Sequence, residues 1–111
     1  MTIANQVIIE AVDGHAKTLK PLLNALVEAT LLEKGCQKFE LYQLHEDREV
    51  FFIVEIWKSA KRYNDHLNNE AYKALETEMK ELIEIQVTNP LKLTQCLTKL
   101  GLKEEKKKET K

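Results

Sequence analysis

The 111-residue sequence has no excess of either charge: 17 Lys and Arg stand against 18 Asp and Glu, a formal net charge of −1. So balanced a chain lacks the basic surface that nucleic acid or an anionic membrane calls for, and neither is expected as a partner. Long apolar runs are missing as well. None approaches the ~20 residues that a bilayer-spanning helix needs. The first residues, MTIANQVIIEAVDG, carry no basic segment and no small-residue cleavage site, so they read as the start of a strand, and the cytoplasm is the expected location. Glycine occurs three times, at Gly14, Gly35 and Gly101, never in a phosphate-cradling pattern. The two cysteines, Cys36 and Cys96, form no CxxC pair, and free thiols are expected. His15, His45 and His66 fall in a turn, a loop and a helix, without zinc-ligand spacing or an acidic cluster to join them. No metal is expected.

What the chain does have is clear periodicity. Residues 6–12 (QVIIEAV) are an apolar, β-branched run closed by the turn pair Asp13-Gly14. From Thr18 the apolar spacing becomes helical, with Leu19, Leu22, Leu23, Leu26, Val27 and Thr30 on one stripe. Pro21 is tolerated near the start of that helix, and Gly35 is a natural stop. Residues 36–43 (CQKFELYQ) read as a second strand, with Phe39 and Leu41 on one face and Cys36, Glu40 and Tyr42 on the other. After a polar hairpin loop, residues 50–57 (VFFIVEIW) are apolar on both faces save for Glu55, so this strand belongs in the middle of a sheet covered on both sides. Ser59 caps a short helix bearing Ala60, Tyr63 and Leu67. A further helical stretch aligns Tyr72, Leu75, Met79, Leu82 and Ile83. Asn89-Pro90 reads as a breaker, and LKLTQCLT (91–98) as the last strand.

The expected order is β-α-β-β-α-β, a ferredoxin-like α+β fold with a four-stranded antiparallel sheet. Residues 1–102 make the domain, and the wholly polar residues 103–111 a disordered charged tail. In this topology strands two and four are opposite edges, about 14 Å apart, which is too far for Cys36 and Cys96 of one chain to pair. All helices lie on one face, yet the third strand is apolar on both. A second copy of the chain, sheet against sheet, is what covers the other face, so a homodimer is expected.

The segments "LVEAT…EKGCQKFELYQ" (26–43), "FFIVEIWKSAKRYNDHL" (51–67) and "NEAYKALETEM" (69–79) resemble the antibiotic biosynthesis monooxygenase domain family. Its pattern has a helix ending in Glu-x-Gly-Cys, an aromatic-bearing strand, Glu-x-Trp closing the third strand, a small residue, and His-Leu shortly after. Glu55, Trp57, Ser59, Ala60, His66 and Leu67 stand at those places. The resemblance implies a dimeric α+β barrel. It also implies one of several activities: cofactor-free oxygenation of quinols or polyketide phenols, haem degradation, or isomerisation of an autoinducer. Members without a known substrate belong to the family too. Haem degraders resemble this chain at WKS (57–59) but carry Trp where His66 stands and their iron-binding His where Glu76 stands. A carboxylate replaces a neutral imidazole poorly, so no haem is expected.

His66, at the edge of the helical stripe, is the candidate general base, because the resemblance implies a pocket between sheet and helices with this position pointing towards its mouth. The plainer alternative is a histidine bonded to a nearby carbonyl. Trp57, the second catalytic candidate, would wall the pocket and offer its indole N–H, or simply anchor the core. Glu55, the one charge in its strand, needs donors if buried, and a partner across the dimer would supply them. Tyr72 and Tyr42, through their hydroxyls, and Glu55 are the substrate-binding candidates. The function expected is a cofactor-free monooxygenase acting on a small aromatic or quinol-like substrate. The alternatives are a small-metabolite isomerase that uses the same base and a non-catalytic dimeric binding or stress protein.

Overall fold

The computed structural model of the chain describes residues 1–92 and 94. Their order is β1 (Ile3–Ala11), α1 (Ala16–Leu31), β2 (Cys36–Gln43), β3 (Val50–Trp57), α2 (Ala60–Leu67), α3 (Glu70–Met79), a single 3-10 turn (Lys80–Leu82) and β4 (Ile83–Leu91). The strands form one antiparallel sheet in the order β2-β3-β1-β4, the ferredoxin-like arrangement, with the second helical unit split into α2 and α3. Among the described residues, no helix is long and apolar enough to cross a membrane.

β3 lies inside the sheet, and the pleat separates its residues cleanly. Phe51, Ile53, Glu55 and Trp57 are buried, while Val50, Phe52, Val54 and Ile56 are only partly so. Successive side chains of a strand point to opposite faces. The helices therefore cover the first set. α1 packs Leu19, Leu23, Leu26 and Thr30 into the same core, with Leu22 and Val27 flanking it. Phe51, Trp57, Leu19 and Leu23 are fully buried, each contributing about 1.5–3 kcal/mol of apolar burial. Pro21 lies within α1 on its exposed side. Ser59 caps α2 by accepting from the Arg62 amide at 3.2 Å, and Asn69 caps α3 through the Ala71 and Tyr72 amides.

Two local expectations change. The last strand is Ile83–Leu91 rather than 91–98, and Pro90 lies within it, opposite Asn5. β4 is an edge of the sheet, and an edge strand accepts proline because one side of its backbone has no ladder partner. The stripe that suggested helix as far as Ile83 breaks at the 3-10 turn, after which Ile83, Ile85 and Val87 alternate as a strand. The second change concerns Cys36. A bulge between Cys36 and Lys38 sets Cys36 opposite Trp57, on the helix-covered face with Phe39 and Leu41. Of the expected 91–98 strand only Leu91, Lys92 and Thr94 are described; its other residues, Cys96 among them, and the charged tail lie outside the described residues.

Candidate active site

A cavity of about 660 Å³ opens between the covered face of the sheet and helices α2 and α3. Val7, Ile9, Ile53 and Glu55 form its floor. Tyr63 and His66 from α2 and Tyr72 from α3 close one side. Its mouth lies over β4, where Gln86 and Thr88 are exposed. Among the described residues no helix lies above this edge strand.

His66 is far deeper than a helix-edge position suggests, at 2% exposure. Tyr63 and His66 are one helical turn apart, so both face the sheet. The imidazole centroid is 4.7 Å from the Trp57 ring and 4.3 Å from Tyr72. Nδ1 lies 3.0 Å from Oε2 of Glu33. Glu33 follows α1 in the turn that leads to β2, a turn made by Gly35 at φ +83°. A side chain at Gly35 would collide with Arg62 on α2, so the glycine allows the helix carrying His66 to approach. With Glu33 accepting from Nδ1–H, the network assigns the free lone pair to Nε2.

Glu55 is equally buried, at 4% exposure. Its Oε1 accepts from the Trp57 indole N–H at 2.8 Å and its Oε2 from the Asn5 amide at 3.1 Å. An unpartnered buried carboxylate costs several kcal/mol, and these two donors offset that. The partner expected across a dimer is thus met within the chain. Register explains it, because Asn5 stands directly opposite Glu55 in the β1–β3 ladder. No cation pairs with Glu55 among the described residues.

The two phenols on the helices are neutral donors. Burial, then the charge of Glu76, pushes the Tyr72 hydroxyl far above its ordinary value, and that hydroxyl donates to Glu76 at 3.2 Å. Tyr63 is raised by burial and by Glu55. Neither serves as a base at neutral pH.

Of the residues singled out from sequence, His66, Glu55, Trp57 and Tyr72 come together. Trp57 does not wall the cavity, however. It stands behind Glu55 and His66, with its N–H committed to Glu55. Tyr42 is elsewhere: 51% exposed on the opposite face of the sheet, paired with Phe52, its hydroxyl donating to Glu40 at 2.6 Å. Glu33, Asn5 and Tyr63 were not among the candidates. For Glu33 the Glu-x-Gly-Cys pattern was the available signal, and for Tyr63 its spacing from His66. Asn5 gives none until the strand register is known.

The model of the family described as antibiotic biosynthesis monooxygenase matches residues 2–78, which include the cavity's catalytic candidates. The chain belongs to the antibiotic biosynthesis monooxygenase family. Solved structures with the same fold are similar along nearly their whole lengths. A Pseudomonas aeruginosa protein is 27% identical with a TM-score of 0.77, the match covering 81% of this chain and 91% of that one. A Mycobacterium tuberculosis protein is 18% identical with a TM-score of 0.80, covering 88% and 100%. A Bacteroides thetaiotaomicron protein named as a candidate antibiotic biosynthesis monooxygenase is 14% identical with a TM-score of 0.82, covering 88% and 94%. Among curated proteins none matches the sequence. Membership of the antibiotic biosynthesis monooxygenase family sets the fold, while the reaction depends on the side chains of the cavity.

Proposed function

We propose that the cavity is the site of a cofactor-independent oxygenation of a small aromatic or quinol-like molecule. The observation that carries this reading is a buried imidazole on the cavity wall, oriented by a carboxylate at 3.0 Å. Nε2 of His66 takes a proton from a phenol or enol of the substrate, and Glu33 stabilises the imidazolium that forms. The electron-rich anion then reacts directly with dioxygen. For a quinol the balance is one quinol and one dioxygen consumed, one hydroxylated quinone and one water formed. One oxygen atom bonds to carbon, and the other leaves as water with two hydrogens. The protein supplies deprotonation, orientation against Tyr72 and a site shielded from bulk water. Trp57 acts as a positioning residue by holding Glu55 and backing the imidazole.

The working unit proposed is a homodimer. Its support is the other face of the sheet, where Ile8, Phe52, Val54, Ile56 and Val87 have no helix above them among the described residues. A second reading, a binding protein without turnover, is favoured by the close packing of His66 between Trp57 and Tyr72. Oxygen consumption measured across a panel of quinols and phenols separates the two. Uptake that matches product formation, and that falls in His66→Ala, supports oxygenation. Turnover without oxygen uptake indicates an isomerase using the same base, and binding without turnover supports the second reading.

A further inference from the structure

We infer that Glu55 makes the cavity selective by charge: it takes an aromatic ligand with hydroxyl donors and no anionic group, and rejects carboxylated or phosphorylated analogues. The inference rests on the cavity proposed above as the reaction site. Aromatic groups of Phe39, Tyr63, His66 and Tyr72 line that cavity and suit a planar ligand. Three carboxylates also line it, Glu55, Glu76 and Glu84, against one lysine, Lys80. Glu76, Lys80 and Glu84 are exposed at the mouth, where water screens them. Glu55 is different. It lies on the floor beside Val7, Ile9 and Ile53.

The two groups that hold Glu55, an amide and an indole, are neutral, so they satisfy its oxygens without cancelling its charge. A carboxylate has about four acceptor positions, and these bonds occupy two of them. The remainder can receive a ligand hydroxyl in a charge-assisted hydrogen bond. A ligand anion in the same place meets a fixed like charge in a poorly hydrated floor. At about 6 Å and a typical effective dielectric this repulsion amounts to roughly a hundredfold in affinity. A ligand that arrives as an anion adds a charge to the cavity, whereas proton transfer from a bound hydroxyl to His66 leaves the net charge of the cavity unchanged.

The test is calorimetric titration of the full chain, without oxygen, using three probes: naphthohydroquinone, its analogue with a carboxylic acid on the second ring, and the methyl ester of that acid. The parent and the ester should bind within about threefold of each other, and the acid on the order of a hundredfold more weakly. The ester controls for size. Glu55→Gln keeps the shape of the side chain and removes its charge. It should weaken the parent probe about tenfold and bring the acid to within about tenfold of the ester. Equal binding of acid and ester, an unchanged ratio in Glu55→Gln, or no binding of any probe overturns the assignment. Should Glu55→Gln fail to fold, the three probes on the unaltered protein decide alone. Charge selectivity without oxygen uptake in air removes the oxygenation and leaves the role of Glu55 standing. Uptake without charge selectivity removes the role of Glu55 alone.

Discussion

Phe51 and Phe52 are consecutive in β3 and have opposite surroundings. Phe51 is fully buried beneath the helices, and Phe52 remains partly open on the other face of the sheet. The same contrast runs the length of the strand. On Phe51's face are Ile53, Glu55 and Trp57, which end in the cavity and its buried carboxylate. On Phe52's face are Val54 and Ile56, which are only partly buried among the described residues. A strand that is apolar on both sides therefore has two jobs. One face builds the cavity, and the other is where a second copy is proposed to dock.

Breaking the inner face should have the largest effect. Phe51→Ala should cost about 3–5 kcal/mol of unfolding free energy, independent of protein concentration, in denaturant titrations. Phe52→Asp should leave the inner face intact while placing an unpaired charge where the second copy is proposed to dock. The expected loss is about 2–4 kcal/mol of association free energy, seen by light scattering as a helical, folded monomer at concentrations where the parent is dimeric. A parent that is itself monomeric at micromolar concentration would defeat the dimer.

His66→Ala sharpens the contrast within the site. Because the ring is buried among Trp57, Tyr63 and Tyr72, its removal should cost about 1–3 kcal/mol, in contrast to the near-silent change that a helix-edge position suggests. On a substrate the parent turns over, the rate should fall roughly 10²–10⁴-fold. Undiminished turnover would remove His66 as the base. Glu33→Gln should slow the same reaction at smaller cost to stability.

Alkaline pH should weaken the inner face. Burial, then Glu33 and Glu55, raises the Cys36 thiol above its ordinary 9.0, and Tyr63 and Tyr72 are raised above 10.0. The folded chain keeps these protons where the unfolded chain has lost them. Their contribution is fully present below about pH 9 and is lost as pH rises through the raised folded values. Melting temperature should therefore decline above pH 9, and less steeply in Tyr72→Phe; an equal slope would rule Tyr72 out. The smallest effect belongs to Tyr42→Phe on the outer face. Its stability should stay within about 0.5 kcal/mol, with affinity for the cavity's ligands unchanged in calorimetry.

Local periodicity in the sequence was enough for the element order, the central place of β3, the buried stripe of α1 and the Ser59 cap. Those features depend on which side chains share a face, and periods of 2 and 3.6 report that directly. The His66–Glu33 and Asn5–Glu55 pairs join residues 33 and 50 positions apart, and only packing and strand register bring them together. The bulge that turns Cys36 inward and the edge position that admits Pro90 are likewise properties of the assembled sheet. Period 2 alone puts Phe39 and Tyr42 on opposite faces of one short strand, whereas the packing of the helices decides that the cavity lies on Phe39's face. The sequence thus determined the fold and the inventory of chemical groups. Tertiary structure decided which groups meet, because hydrogen bonds and like-charge repulsion act over a few ångströms in space, whatever the separation along the chain.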